Sequence, residues 1–552
     1  MPLTAEMRRS IDQIRDYLFG GGYPDPVSNA EQLSFLFFFF LLETIDDENR
    51  KRAEVLKEPY TSIFDGEWTL RSAETSAREG WRIEATVLRT AAQAIPRSRF
   101  RWTVWAREMG GQALVDFVGE QVFPFFAEIG AAGVHDFMRG ARLGIHDPTV
   151  LTQVVRLVDG LGPADADSDT KGDLFEHVLR QIKQAGELGQ FRTPRHIIRR
   201  IVEMVDPSIG ETIYDPAAGT AGFLVAAYNH IRLKHSSPAT IVEVEVEGKT
   251  QRRGLGDLLT PEDLDVLRNR TFYGNDVDPK MVRLATMNLR LRGLDNVRIL
   301  QRNVLTSVLD EASKEELGLP TGGYDLVLAN PPFSGRVDKA RIVDAVRVGS
   351  TSSTELLFLK YLQDSLRDGG RAAVVVPEGV LFGSSAAHLE LRRQLVENNQ
   401  VDAVLSLPGG VFQPYSGVKT SVLFFRKGGT TKRVLFLHVD EDGYEFDAHH
   451  DTPHEEDDLP RLAAAYAHRE ASLSRWEARE RDADWNEKWW FADAAALRDN
   501  SYNLTASRYR PLGRSEAEHQ DFLELLDDVI ARELELVKVM ETLRDMVREY
   551  KA

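Results

Sequence analysis

Four consecutive residues, Asn330, Pro331, Pro332 and Phe333, combine an amide, two rigid backbone units and an aromatic ring. The Asn side-chain oxygen accepts a hydrogen bond from an amine. Each proline fixes φ and has no N–H, so the Pro331 carbonyl is held rigidly as a second acceptor. Phe333 offers a flat face for stacking. The set suits a planar ring with an exocyclic amino group, although the same residues also fit an ordinary proline-rich turn.

The residues before this tetrapeptide predict where it lies in the fold. Tyr324 to Ala329 form a short apolar run that is typical of a buried parallel strand. Ligands in open α/β sheets bind outside the carboxyl ends of the strands. The strand therefore places the tetrapeptide where a ligand site is expected.

A second segment has the pattern of a strand, a loop of small residues and a helix. Thr212 to Tyr214 read as the strand, Asp215 to Gly222 as the loop, and Phe223 to Ala227 as the helix. Small residues allow close approach of a ligand, and a helix N-terminus is electropositive. The loop is neither the dinucleotide motif GxGxxG nor a P-loop, which disfavours a dinucleotide or a triphosphate. It suits a carboxylate or amino-acid moiety, and a tight structural turn is the alternative.

Acidic residues end the next predicted strand. The segment Thr271 to Asn275 leads into Asp276 and Asp278, and a helix follows from about Lys280. An acid at this position in such folds usually binds ribose hydroxyls. Asp276 is the candidate, since Asp278 directly precedes Pro279 and is better explained as a helix N-cap.

Two predicted helix starts and one insertion complete the local patterns. Ser28 to Glu31 reads as a capping box, and Thr193 before Pro194 reads as an N-cap with proline at the first helical position. Residues 235–270 interrupt the α/β pattern with alternating charged and apolar residues, which predicts a hairpin. We interpret the arginines of this insertion as a solvated face; they are Arg252, Arg253, Arg268 and Arg270.

Composition limits the classes of protein. A chain of 552 residues is too long for one core. The absence of cysteine excludes thiolate zinc sites and fits a reducing, cytoplasmic setting. The first residues lack the basic and apolar regions of a signal peptide.

The run Phe35 to Leu42 is too short to cross a membrane, so we expect it in a core rather than on a partner-binding surface. A net charge of −18 argues against tight nucleic-acid binding without a local basic surface or a partner.

The end of the chain offers two further patterns. The loop spacing of His449, His450 and His454 is not that of a metal site, so no metal is predicted. A seven-residue apolar repeat in the last 35 or so residues predicts a short coiled-coil seam, which Glu533 interrupts. The seam indicates either a partner helix or packing onto the chain itself; its residues are Phe522, Leu526, Val529, Leu536, Met540, Leu543, Val547 and Tyr550.

Strands and helices alternate between about residues 173 and 430, which predicts an α/β fold with a doubly wound parallel sheet. We expect an α-helical N-terminal domain at 1–160, the α/β core at 161–430, and a C-terminal region at 431–552 that ends in a long helix for subunit contacts. The N-terminal domain shows no catalytic constellation, so packing or docking is its expected role.

In this order, the segments resemble the modification (M) subunits of type I restriction–modification systems, which are N6-adenine DNA methyltransferases with a Rossmann-like core that uses S-adenosylmethionine. The resemblance covers most of the chain. Its motifs, taken together, are highly specific for this family. They are Gly189–Arg195, Asp215–Leu224, Asn330–Gly335, Gly370–Phe382, Leu407–Phe412 and Tyr502–Tyr509.

The resemblance implies roles for individual residues. Asp276 would hold the ribose of S-adenosylmethionine, while Asn330 and Pro331 would accept from the N6 amine of a flipped adenine, with Pro332 in the same turn and Phe333 stacked on the base. The remaining cofactor residues would be Gln190, Phe191, Arg192, Thr193, Pro194, Arg195, Asp215, Gly219, Thr220, Ala221 and Gly222. The family commonly has an aromatic residue in place of Arg192 and an acid in place of Asn303, and the insertion at 235–270 is extra.

The resemblance also implies partners: double-stranded DNA, a specificity (S) subunit, a second M subunit and, in complete systems, a restriction/translocase (R) subunit. Alternatives are a standalone adenine methyltransferase, although no target-recognition domain is evident after residue 430, and an inactive scaffold, which the intact tetrapeptide disfavours. N4-cytosine chemistry more often uses serine at the position of Asn330. A protein-glutamine methyltransferase would not need the helical N-terminus or the tail.

Overall fold

The computed structural model describes residues 5–511 apart from 58, 72–91, 132–137, 139, 162–167, 185–192, 247, 295, 414–416, 448–449, 451 and 479–486, together with residues 530 and 540. Within this described part, no helix is long and apolar enough to span a membrane. The predicted coiled-coil seam lies outside the described residues, except for Met540.

The N-terminal third is mainly helical, as predicted. Its elements are α1 Ala5–Gly20, α2 Pro26–Leu56, β1 Glu67–Arg71, β2 Ala92–Pro96, α3 Trp102–Glu108, α4 Gly111–Phe117, α5 Phe123–Ala131, α6 Pro148–Asp159 and α7 Ser168–Gln184. The phenylalanine run lies inside α2, and Phe35, Phe37 and Phe39 are at most 1% exposed, so its assignment to a core is confirmed.

Two details of this region differ from the sequence pattern. Strands β1 and β2 form an antiparallel pair that the helical pattern did not predict. The capping box at Ser28 is also wrong, because α2 already begins at Pro26 and the Ser28 hydroxyl donates to Asp25 instead. A proline in the first turn suits this earlier start, since its missing N–H has no partner there in any helix.

The rest of the chain forms an α/β core. Its elements are α8 Arg195–Val205, β3 Ile213–Asp215, α9 Gly222–Lys234, β4 Ile241–Val246, β5 Lys249–Gly254, α10 Pro261–Asn269, β6 Phe272–Asp276, α11 Pro279–Arg290, β7 Arg298–Gln301, α12 Glu311–Glu316, β8 Tyr324–Ala329, α13 Thr354–Ser365, β9 Leu366–Pro377, α14 Glu378–Phe382, α15 Ala386–Asn398, β10 Asn399–Ser406, β11 Thr420–Lys427, β12 Arg433–His438, β13 Asp442–Tyr444, β14 Pro453–Asp457, α16 Leu459–Ala467, α17 Arg469–Glu477, β15 Trp489–Asp493 and α18 Ala494–Asp499.

A nine-stranded sheet with the order β15-β12-β10-β11-β9-β8-β3-β6-β7 is the centre of this core. The strands β7, β6, β3, β8 and β9 are mutually parallel. From β3 the chain runs outward to β6 and β7 and then returns to β8 on the other side. The order of the strands therefore reverses at β3, and a ligand crevice is expected at such a switch point.

The sheet differs from the predicted one in two respects. Strand β11 is antiparallel to both neighbours, and β15 is antiparallel to β12, so the sheet is mixed rather than wholly parallel. Strands β12 and β15 also lie beyond residue 430, where the sequence signal fades. An apolar run reports burial but not strand direction, which explains the first difference.

Helix α11 joins the two parts of the molecule. Met281, Leu284 and Met287 on one face belong to the core of the N-terminal helices. Val282 and Ala285, on another face, pack into the core beside the sheet. At the same boundary the buried guanidinium of Arg283 contacts the buried carboxylate of Glu31 in α2 at 2.5 Å. The helical region is therefore packed against the strand layer through apolar contacts and a buried ion pair.

We expect Glu31→Gln to lower the free energy of unfolding by about 3 kcal/mol, because it leaves the Arg283 charge buried without its carboxylate. Urea unfolding followed by circular dichroism measures the change. Glu311→Gln removes the partner of Lys314 in an exposed pair, so it should leave the free energy of unfolding nearly unchanged. If the two substitutions lowered the free energy of unfolding equally, the buried Arg283–Glu31 pair would contribute no more to stability than the exposed pair.

Candidate active site

The carboxyl ends of β3, β6 and β8 open into a cavity of about 820 Å³. Parallel neighbours place their last residues at one edge, so polar residues far apart in sequence meet there. Eleven predicted site residues line this cavity: Thr193, Pro194, Arg195, Asp215, Gly219, Thr220, Gly222, Asp276, Asn330, Pro331 and Pro332.

Asp215, the last residue of β3, is a buried carboxyl group in the wall of the cavity. One of its oxygens accepts a hydrogen bond from the Ala217 N–H at 3.0 Å. Burial, with the nearby charge of Asp276, raises the pKa of Asp215 to about 8. A buried carboxyl of this kind is well placed to bind a cation, since a cationic partner would restore its charged form.

Asp276, the last residue of β6, is oriented by two backbone amides. Its oxygens accept from the Gly219 N–H and from the Asp278 N–H, each at 2.9 Å. Burial raises the pKa of Asp276, although these two amides act in the opposite direction. A carboxylate has about four acceptor positions, so two remain for hydroxyl groups of a ligand. Asp278 itself caps α11 through the Lys280 N–H, as predicted.

The loop between β3 and α9 is shaped by its small residues. Gly219 has a left-handed φ of 53°, and a Cβ there would meet open space, so the loop leaves room above it. A Cβ on Gly222 would come within 3.1 Å of the Ile198 Cδ1, so a larger residue would require the Ile198 side chain in α8 to shift. Ala221 is fully buried beneath the loop and has a φ of 66°, which is strained for a residue with a Cβ. Such strain is typical of functional loops.

The tetrapeptide lies directly after β8. Asn330, Pro331 and Pro332 line the cavity, whereas the ring of Phe333 does not. Phe333 is 7% exposed and packs edge-on against Phe412, with ring centroids 5.1 Å apart. The implied stacking face of Phe333 is therefore turned into the core in this structure. Phe412 lies in a segment that carries the family resemblance. Its ring is a second aromatic group next to the tetrapeptide, and the sequence patterns did not indicate it as a site residue.

Helix α8 forms another wall of the cavity. It begins at Arg195 with Pro194 as its N-cap, so the prediction that Thr193 caps the helix is wrong. The Arg195 guanidinium lies 3.1 Å from Glu176 of α7, which connects the start of α8 to the helical region. The candidate residues Gln190, Phe191 and Arg192 lie outside the described residues.

The cavity also contains residues that the sequence did not indicate as site residues. The insertion forms the predicted hairpin β4–β5, and Arg252 and Arg253 from it line the cavity. Arg253 is half-buried and pairs with Asp173, so its interpretation as part of a solvated face is wrong. Asn303, in place of the acid expected from the family pattern, also lines the cavity and accepts from the Leu305 N–H at 3.0 Å. Only the folded chain brings these residues to the sheet edge.

A reversal of strand order at β3, a small-residue loop, an acid after β6 and an Asn-Pro-Pro turn after β8 define a methyltransferase with a Rossmann-like core. Family models agree: "N-6 DNA Methylase" matches residues 166–519 and "HsdM N-terminal domain" matches residues 7–158. The chain belongs to the N-6 DNA methylase family, among the modification subunits of type I restriction–modification systems, and the predicted resemblance is confirmed.

Individual relatives support this assignment. The EcoEI methylase subunit of Escherichia coli is 31% identical over 61% of this chain and 65% of its own length. The StySJI methylase subunit of Salmonella typhimurium is 30% identical over 67% of each chain. The EcoKI methylase subunit of Escherichia coli K12 is 29% identical over 73% of this chain and 78% of its own. The chain thus spans about two thirds of the first of these relatives.

Solved structures agree on the fold. A chain from a study of complex assembly and conformational transition in a type I system has a TM-score of 0.65 and 25% identity, with 99% of each chain covered. A modification subunit of a type I restriction enzyme from Vibrio vulnificus has a TM-score of 0.65 and 22% identity, with 94% of this chain and 99% of that chain covered. The predicted methyltransferase fold is confirmed.

Proposed function

We propose that this chain transfers a methyl group from S-adenosylmethionine to N6 of adenine in DNA, as the modification subunit of a type I complex. The observation that carries the proposal is the convergence of Asp215, Asp276 and Asn330 on one cavity at the carboxyl edge of the sheet. The two acids suit the donor and the amide suits the acceptor. Methylation of DNA by the chain reconstituted with its specificity subunit, with the modified base identified by mass spectrometry, tests the proposal.

The residues at β3 and β6 fit S-adenosylmethionine. The buried Asp215 carboxyl would bind the methionine ammonium, and the N-terminus of α9 behind Thr220 and Gly222 would face its carboxylate. Asp276, oriented by two amides, would accept from the ribose hydroxyls. When bound, S-adenosylmethionine supplies a methyl group on a positively charged sulfur. In addition, Thr193, Pro194 and Arg195 would contact the cofactor from the wall formed by α8, with Arg195 anchored on Glu176.

The residues after β8 would orient the acceptor. The Asn330 side-chain oxygen and the Pro331 carbonyl would accept from the two N6 hydrogens of an adenine that has left the duplex. Both contacts favour a tetrahedral nitrogen whose lone pair points at the methyl group. Orientation of this kind can contribute several kcal/mol without a strong base. Stacking by Phe333 would require its ring to leave the contact with Phe412, so base entry would include a movement of this turn.

Target choice would belong to other subunits. The acidic net charge of −18 disfavours tight DNA binding by the chain alone, and the basic residues around the cavity form only a local surface. We therefore propose an assembly with a specificity (S) subunit and a second modification subunit on double-stranded DNA, with a restriction/translocase (R) subunit as a further partner. A substrate of cellular DNA implies a cytoplasmic location.

The isolated chain is expected to bind S-adenosylmethionine but to methylate DNA poorly, and addition of the specificity subunit should raise the rate at least about 100-fold. Calorimetry measures cofactor binding, and transfer of a radiolabelled methyl group to DNA measures the rate. The physical reason is that this chain offers the chemistry but little electrostatic attraction for DNA.

Other outcomes would support the alternatives. Strong sequence-specific methylation by the isolated chain would indicate a standalone methyltransferase. Absence of cofactor binding would indicate a scaffold with an inactive fold. Methylome sequencing of cells with and without the gene reports the base and the recognition site in one experiment.

A further inference from the structure

A buried cluster of His196, Asp442 and His450 lies beside the proposed cofactor cavity. The three residues come from the start of α8, the start of β13 and the loop after β13, and their side chains are at most 6% exposed. Their nearest ligand atoms all lie within 4.8 Å of one another. The methyl-transfer chemistry proposed above gives this cluster no role.

The contact between His450 Nε2 and Asp442 brings two acceptor atoms together when His450 is neutral. Nδ1 of His450 lies 3.0 Å from the Glu445 backbone carbonyl, which can only accept, so Nδ1 must carry the proton. A neutral His450 then presents a lone pair at Nε2, which lies 2.8 Å from an Asp442 oxygen. Two lone pairs at this distance repel, so the contact needs a proton or a metal cation between the two atoms.

Nε2 of His196 faces the same Asp442 oxygen at 3.0 Å, so two imidazoles and a carboxylate converge on one point. The nitrogens and oxygens around a tetrahedral zinc ion are about 3.3 Å apart, which is close to these separations. A metal-binding histidine usually donates its other ring N–H to a backbone carbonyl, as His450 does to Glu445. Two imidazoles and one carboxylate are also a ligand set that Zn²⁺ uses.

We propose that His196, Asp442 and His450 bind one divalent transition-metal ion, with Zn²⁺ as the preferred occupant. Imidazole favours zinc over the alkaline-earth ions, which prefer oxygen ligands. His196 and His450 both line the cavity, so water from the cavity can complete the coordination. The ring of His196 stacks on Tyr444 at 4.3 Å and that of His450 stacks on Phe446 at 5.1 Å, and these contacts fix both imidazoles.

The metal would connect two distant parts of the chain. His196 and Asp442 are 246 residues apart, and the metal would hold the β13–β14 region against the helix that begins at the cofactor cavity. His450 has a left-handed φ of 49°, a strained backbone for a residue with a side chain. Coordination would compensate for this strain by fixing the imidazole in place. The site is independent of the proposed methyl transfer and can exist without it.

The test uses the untagged full chain, first treated with chelator and then titrated with ZnCl₂ against a chromophoric competitor. We expect one equivalent of zinc to bind. Because even groups that only orient metal ligands contribute about 10–100-fold to affinity, His450→Gln and Asp442→Asn should each lose at least about 100-fold.

His454→Gln is the matched control, since His454 lies on β14 in the same region but is not part of the cluster. It should keep the full stoichiometry. Cobalt substitution in the wild-type chain should give visible d–d absorption bands, a readout that needs no variant. No zinc uptake by the wild-type chain would overturn the proposal and leave a metal-free hydrogen bond as the explanation of the contact. Unchanged zinc affinity in His450→Gln would also overturn it.

Discussion

Asn330→Ala is expected to abolish methyl transfer while S-adenosylmethionine still binds with its normal affinity. The substitution removes the acceptor that would orient the N6 amine but leaves the Asp215 and Asp276 carboxylates in place. If orientation at this position contributes about 4 kcal/mol, the single-turnover rate should fall about 1000-fold. Rapid-quench methylation of DNA by the reconstituted complex measures the rate, and calorimetry measures cofactor affinity.

Asn269→Ala serves as the control for this substitution. Asn269 ends α10, and its side chain donates to Asp265 on the same helix, away from the residues that line the cavity. Its methylation rate should match that of the unmodified chain. Substantial methylation by Asn330→Ala would disprove the orientation mechanism, while loss of cofactor binding in that variant would show that the substitution had disturbed the cavity as a whole.

Cofactor binding is expected to depend on pH through Asp215. Its pKa of about 8 in the cofactor-free chain means that the carboxyl is largely protonated at pH 6. A bound ammonium group favours the carboxylate, so binding should release a proton below pH 8. The affinity for the cofactor should therefore rise by up to about tenfold for each unit by which the pH increases toward 8. Above that, the methionine amine itself begins to lose its proton, so affinity should pass through a maximum near pH 8. Calorimetry in buffers of different ionisation enthalpy measures both quantities.

The same carboxyl should affect stability in the opposite direction. Its pKa is raised in the folded chain above its ordinary value of 3.8, so its contribution to stability is present at low pH and is lost as the pH rises through about 8. The Tm of the cofactor-free chain should therefore fall between pH 6 and pH 8, and it should fall less steeply in the Asp215→Asn variant than in the unmodified chain.

The Asp215→Asn variant should also lose the pH dependence of cofactor binding that Asp215 causes. A proton release equal to that of the unmodified chain would refute the role of Asp215.

Asp310→Asn provides the comparison. Asp310 is an exposed cap of α12, and hydrogen bonds from Ser313 lower its pKa, so it does not titrate in this range. Its pH profile for cofactor binding should coincide with that of the unmodified chain.

The sequence predicted the parts of the site that are close to strand ends. The apolar run before Asn330 and the loop after β3 have short-range patterns, so β8 and β3 were found within about a residue of their positions. The direction of β11 was not predictable, because an apolar strand has the same composition in either direction. The prediction of Thr193 as an N-cap was wrong because α8 begins one residue later than the Thr-Pro pattern suggests.

Residues that meet only in the folded chain were not found. The spacing of His450 and His454 gives no metal signature, and the side chains that lie next to His450 in the fold are His196 and Asp442. Likewise, alternation in β4–β5 predicted the hairpin but not that Arg252 lies at the cavity. Local patterns specify elements, whereas these contacts depend on how the elements pack.

Helix α11 has buried contacts on two sides and begins three residues after Asp276. A helix packed in this way cannot slide against one layer without displacing the other, because protein interiors are close-packed. Its N-cap residue, Asp278, donates the amide that orients Asp276. A subunit that shifted the N-terminal helices would therefore change the orientation of Asp276, the residue proposed to bind the ribose. Helix α11 therefore couples the position of the N-terminal helices to the orientation of Asp276 at the cavity.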